Sequence, residues 1–267
     1  MKNNIAVIAS LISILCAQNA FSKELCTLIV EAESGNVILQ EGQQCNKQVT
    51  PASTFKIAIS LMGFDAGVLK TESEPVWDYK TGYPDWGGDN WKKKIDPTSW
   101  LKYSVFWYSQ QVVGKLGQQT FERYVRAFDY GNKDVSAVDV SAPGQKGVWV
   151  MSSLQVSPVQ QIAFLRKVVN RQLPLKSVAY EMTDNITRYD VSPEGWTIHG
   201  KTGTGSPGQD NKYDPNNAYG WYVGWATKGT QKIVFAKLIQ DEQALSPNAG
   251  IWARDQLIHQ ISAVMKP

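Results

Sequence analysis

Ser53 and Lys56 stand three residues apart in Pro51-Ala52-Ser53-Thr54-Phe55-Lys56, directly ahead of the apolar run Ile57-Ala58-Ile59-Ser60-Leu61-Met62. The run reads as a buried helix, and Pro51 suits its entrance. Residues three apart on a helix share a face, so the hydroxyl and the amine are expected side by side. A serine is a weak nucleophile until a neighbouring base takes its proton. A lysine set among apolar residues can become that base, because burial disfavours its cation. The free backbone N–H groups of the entering turn can receive an oxyanion. Spacing alone does not decide the matter: Ser99-Trp100-Leu101-Lys102 repeats it. Either copy also reads as a polar helix start with a solvated lysine.

Further along, Ser104-Val105-Phe106 interrupts a helical region, where a hydroxyl can project into a pocket and relay a proton. Tyr130-Gly131-Asn132 is a turn. Trp149 carries an indole N–H that donates and cannot accept. Lys201-Thr202-Gly203-Thr204-Gly205 directly follows a strand-like run, which would hold an ammonium and a hydroxyl rigidly toward a cleft. Its glycines allow a ligand to approach the backbone. Lys80-Thr81-Gly82 spells the same three letters in a stretch without strand flanks, and serves as an internal control.

The elements that must position these residues change character along the chain. Thr27–Glu31 and Val37–Gln40 form a strand hairpin around Gly35-Asn36. A Gly-, Trp- and Asp-rich stretch from Trp77 to Asp96 reads as loop. Helices follow from Asp96 to Leu116 with a break near Ser104, from Gln118 to Phe128, from a capping box at Ser157 to about Asn170, and after Pro174 to about Arg188. Strands return at Trp196–His199, Tyr219–Trp225 and Lys232–Ala236. A terminal helix places Ile251, Leu257, Ile258, Ile261 and Val264 on one stripe. This order predicts an α+β fold, an antiparallel sheet flanked by terminal helices plus a mostly helical lobe, with no alternating βαβ pattern.

Residues 1–22 have a basic start, an apolar core from Ile5 to Cys16 and small residues near Ala20 and Ser22, the three parts of a secretory signal. The apolar core is too short for a permanent anchor. Leu15 before Cys16 is not the small residue of a lipoprotein signal. Residues 23–267 are then expected to form one domain with two packed lobes, exported to a bacterial periplasm. A formal charge of +3 is too mild for nucleic-acid binding, and Lys92-Lys93-Lys94 reads as a solvated loop. Ten tryptophans suggest an aromatic-lined core or cleft. Cys26 and Cys45 flank the hairpin, so a disulfide is expected if the geometry allows it. With two histidines, His199 and His259, and no further cysteine after the signal, no metal site is expected.

The ordered set Ser53-Thr54-Phe55-Lys56, Ser104-Val105-Phe106, Tyr130-Gly131-Asn132, Trp149 and Lys201-Thr202-Gly203 resembles the class D (oxacillinase-type) serine β-lactamases over essentially the whole chain after the signal. The Ser-Asp-Asn triplet of class A enzymes is missing, and Tyr130-Gly131-Asn132 stands in its place. The resemblance implies hydrolysis of β-lactams through an acyl-enzyme on Ser53. It further implies that Lys56 is carboxylated by carbon dioxide (or bicarbonate) and acts as general base, with the Trp149 N–H supporting the new anion. Ser104 would pass a proton to the leaving nitrogen, and Lys201 with Thr202 would hold the substrate carboxylate. The backbone N–H groups of Ser53 and Thr204 would form the oxyanion hole.

Two positions depart from the family pattern. Phe106 replaces the usual valine. The arginine expected early in the last helix aligns with Trp252, with Arg254 two residues on. An alternative within the same chemistry is a β-lactam sensor or penicillin-binding domain that acylates without turnover. A secreted sugar-binding module would account for the tryptophans but not for the ordered motifs.

Overall fold

The computed structural model describes residues 22–142, 144, 146–189 and 195–264. Strands β1 (Ser22–Glu31) and β2 (Val37–Glu41) form the expected antiparallel hairpin, with Ile29 opposite Leu39. Cys26 and Cys45 are disulfide-bonded, their Cα atoms 5.0 Å apart. Except for Ser22, which opens β1, the segment read as an export signal lies outside the described residues.

Two further short strands, β3 (Trp77–Asp78) and β4 (Lys94–Ile95), pair with each other and clamp the base of the stretch read as pure loop. Two-residue strands are too short to show a period, which is why the sequence conceals them. The remaining strands are β5 (Arg188–Tyr189), β6 (Thr197–Gly205), β7 (Tyr219–Lys228) and β8 (Gln231–Asp241). The main sheet runs β2-β1-β8-β7-β6-β5, all antiparallel. Both faces of its centre are covered, so β7 and β8 are buried at nearly every position, while β6 alternates and the edge strand β2 stays largely exposed. On β7, Trp221, Val223 and Trp225 face the helical lobe, while Tyr222 and Ala226 face the terminal helix.

The lobe comprises α1 (Lys56–Asp65), α2 (Pro97–Tyr103), α3 (Phe106–Leu116), α4 (Gln118–Phe128), α5 (Pro158–Val169) and α6 (Ser177–Thr187). Asp96 caps α2 by accepting from the Ser99 N–H, and Ser157 with Gln160 completes the capping box of α5. α1 is buried from Lys56 to Phe64 and packs against α6, where the Ser60 and Thr183 hydroxyls meet at 3.0 Å. Helix α7 (Ala249–Val264) covers the opposite face of the sheet. Its buried stripe is Ala249, Ala253, Leu257 and Ile261, not the five residues expected: Ile251 and Ile258 lie at the margin and Val264 is exposed. Small alanines fill part of the contact, so a reading based on large side chains places the stripe slightly off. Among the described residues no helix is long and apolar enough to cross a membrane.

Candidate active site

Pro51 leads into one 3-10 turn, Ala52–Phe55, which runs on into α1. The Ala52 N–H and the Thr50 hydroxyl both donate to the Trp149 carbonyl, at 2.9 and 2.8 Å. The Thr50 oxygen also accepts the Met151 N–H at 2.9 Å. These bonds tie the turn to the segment that carries Trp149. Ala52 is held at φ 48°, a left-handed conformation costly for a residue with a Cβ and a form of strain found at functional sites. Within this turn the Lys56 amine donates to the Ser53 hydroxyl at 3.0 Å. Lys56 is 0% exposed. Burial lowers its pKa well below the usual amine range, and the nearby Lys201 charge lowers it further. The other Ser-x-x-Lys copy lies on α2 with Lys102 exposed. Burial separates two identical motifs.

The Lys201-to-Gly205 stretch lies inside β6; the expectation that it would follow a strand is corrected. Three glycines in nine residues hide the strand pattern, and full pairing with β7 supplies what propensity lacks. Directly paired residues share a sheet face. Lys201 pairs with Val223 and Gly203 with Trp221, so both face the helical lobe; Thr202 pairs with Tyr222 and Thr204 with Gly220, facing α7. A Cβ on Gly203 would stand 3.0 Å from the Pro51 carbonyl oxygen, which shows how tightly β6 presses on the Ser53 turn. Lys201 is buried and donates to the Thr202 carbonyl at 3.0 Å. Burial, with the Arg254 charge second, brings its pKa down to about 7. Lys80, the control copy, is exposed in a turn.

No carboxylate pairs with Lys56 or Lys201 among the described residues, so an anion entering the site would meet two amines without a competing partner. Arg254 is bonded to Asp255 at 2.8 Å and lies over the Tyr189 ring. Trp252 is exposed.

Aromatic rings line the other side. Trp149 is fully buried and lies 5.8 Å from both Phe55 and Phe106, centroid to centroid. Its Nε1 is buried without a hydrogen-bond partner among the described residues. Tyr130 packs 4.9 Å from Phe55. Burial raises the Tyr130 phenol, partly offset by Thr54 and Gln161 beside it, though neither completes a hydrogen bond with good geometry. Asn132 turns away from this cluster: it donates to the Ser153 carbonyl and accepts from the Asp134 and Gln155 N–H groups, locking its own turn. Ser104 sits between α2 and α3 at φ 58°, half-buried, with no hydrogen bond to Ser53 or Lys56 among the described residues. It comes to the site through Phe106, two residues on.

Several participants carry no sequence signal. Gln161 donates to the Thr54 hydroxyl, which donates to the Pro51 carbonyl. Asn248 accepts from the Thr204 hydroxyl, which in turn receives the Gly250 N–H, fixing the start of α7 against β6. His199 is structural, stacked on Trp225 with Nδ1 at 2.8 Å from the Asp184 carbonyl.

Residues 25–263 match the family of penicillin binding protein transpeptidase domains. The chain is 37% identical over 242 residues to β-lactamase OXA-9 of Klebsiella pneumoniae, covering 90% of this chain and 88% of that one. It is 35% identical to β-lactamase OXA-1 of Escherichia coli, over 88% of this chain and 83% of that one. The crystal structure of the class D β-lactamase OXA-427 superposes with a TM-score of 0.79 at 39% identity, covering 90% of this chain and 99% of the other. A serine beside a dry amine, set between a transpeptidase-type sheet and a helical lobe, with relatives of this kind over nearly its full length, places the chain in the class D β-lactamases.

Proposed function

We propose that the chain hydrolyses the amide of β-lactam antibiotics through an acyl-enzyme on Ser53, with Lys56 carboxylated on its amine. The observation that carries this is the 3.0 Å bond between the buried Lys56 amine and the Ser53 hydroxyl. An ordinary lysine is a cation near neutral pH and cannot accept a proton. Burial favours the free amine here, the form that adds carbon dioxide. The resident residues fit the group: the buried Trp149 Nε1 is a donor without a partner. When attached, the carboxylate supplies a general base beside Ser53, its C–N bond formed as the amine releases one proton.

Ser53 attacks the lactam carbonyl, and the C–N bond of the ring breaks. The backbone N–H groups of Ser53 and Thr204 hold the oxyanion. Ser104 gives a proton to the departing nitrogen, and Lys201 binds the substrate carboxylate together with Thr202, whose hydroxyl lies 3.4 Å from the Lys201 amine at the strand edge although its position in the ladder is on the α7 side. Water then cleaves the Ser53 ester. Residues 1–22 direct the chain to the bacterial periplasm, where the enzyme meets its substrate; N-terminal sequencing of protein from a periplasmic fraction tests that part.

Turnover of a chromogenic cephalosporin, with and without bicarbonate, tests the core of the reading alongside Lys56→Ala. Many turnovers, stimulated by bicarbonate and lost in the variant, are expected. A single acylation event would make the protein a sensor, and activity indifferent to bicarbonate would remove the carboxylated lysine.

A further inference from the structure

Trp86 is 68% exposed, yet its indole is ordered by two rings: 5.3 Å from Trp91 and 5.1 Å from Phe106, centroid to centroid. Phe106 in turn lies 5.8 Å from Trp149 on its other side, and Trp149 5.8 Å from Phe55, the residue preceding Lys56. The stack therefore runs from solvent to the start of α1. Its edges are closed by backbone. A Cβ on Gly147 would approach both Phe106 and Trp149 to 3.1 Å, and one on Gly87 would strike the Trp91 indole at 2.0 Å. Phe106 is 5% exposed, and Trp86 is its outer cover. A bare indole on the surface contributes little to the core, so its place against Phe106 points to a task at the site.

We infer that Trp86 is a positioning residue for the Lys56 pocket: it pins Phe106 against Trp149 and so limits how fast carbon dioxide and water reach Lys56. Resting on the carboxylated-lysine reading above, this assigns the outer gate to a residue of the loop between β3 and β4. Phe106 forms the inner leaf. It cannot swing outward while the indole covers it.

The test follows label instead of turnover. Protein equilibrated with unlabelled bicarbonate is moved into carbon-13 bicarbonate, and growth of the carbamate carbon signal is timed for the natural protein, Trp86→Ala, Trp86→Phe, Phe106→Val and the Trp86→Ala/Phe106→Val pair. Trp86→Ala should exchange about two- to ten-fold faster, the factor that loss of one aromatic pair lends to the open population. Trp86→Phe should restore the slow rate. In the Phe106→Val background, Trp86→Ala should add nothing, because the leaf it holds is gone. Equal exchange in the natural protein and Trp86→Ala, with carbamate visible in both, overturns the gate and leaves the lysine chemistry standing. No carbamate signal in any variant overturns both.

Discussion

The Lys201 charge lies close enough to Lys56 to weaken that amine's hold on its proton, and no carboxylate stands beside either lysine among the described residues. Two dry amines on facing elements, one at the head of α1 and one on β6, are costly in a folded protein unless an anion joins them. That arrangement suits a site whose substrate and catalytic base both carry negative charge.

Lys201 sets an alkaline limit. Burial and the Arg254 charge bring its pKa down to about 7 while Lys56 carries no carboxylate; the carboxylate raises it, so the cation is lost at that pH or above it. The ratio kcat/KM reports free-enzyme ionisations, so it should fall above pH about 7 when measured at fixed dissolved carbon dioxide. Lys201→Arg should abolish this limb, because a guanidinium keeps its charge. A limb unchanged in that variant would remove Lys201 from carboxylate binding.

Trp149→Phe keeps a ring in the stack and deletes one N–H. A hydrogen bond to a charged group is worth about 1.5–3 kcal/mol. The bicarbonate concentration giving half-maximal activity should therefore rise roughly ten- to hundred-fold. A bicarbonate titration of the purified variant reads this directly.

Phe106→Val thins the inner leaf over the pocket. Hydrolysis of the Ser53 ester needs water at Lys56, while attack by Ser53 does not, so deacylation should change more than acylation. Burst and steady-state rates with a slow β-lactam separate the two steps.

Asp184 provides a stability test away from the site. Burial holds its carboxyl at about 6 against an ordinary 3.8. The unfolded chain ionises more readily, so stability is lost as pH rises from about 4 to 6, and the full penalty is present above that. Asp184→Asn should stabilise the protein at pH 7 by about 2–3 kcal/mol, with the gain vanishing below pH about 4. Urea unfolding at the two pH values checks both the sign and the window.

The Cys26–Cys45 bridge closes a loop with a sequence separation of 19. Replacing both cysteines by serine should cost about 3 kcal/mol. For a chain of this size, that lowers Tm by roughly 6–12 °C. Calorimetry of the variant measures it, and an unchanged Tm would mean that the hairpin needs no staple.

Much of this molecule is legible residue by residue because the signals are local. Helix α4 begins and ends where its sequence pattern does, Ser157 and Gln160 build the capping box their spacing demands, and α2 and α3 break at Ser104. The glycine-rich half of β6 and the two-residue strands β3 and β4 are not legible, since each exists only through pairing across an intervening irregular stretch.

The same division runs through the site. Chain order and spacing place a hydroxyl one turn from an amine and reveal the ordered motifs, because helical geometry links neighbours three residues apart whatever surrounds them. Spacing alone does not say which Ser-x-x-Lys is the functional copy, although strand flanks and motif order already favour Lys201 over Lys80 and Ser53 over Ser99. Packing chooses: Lys56 and Lys201 are dry while Lys102 and Lys80 stand in water. Nor do they show the Trp86–Phe106–Trp149 stack, whose rings meet across more than sixty residues of chain. Burial and ring contact depend on residues distant in sequence, and those alone turn an ordinary lysine into a base.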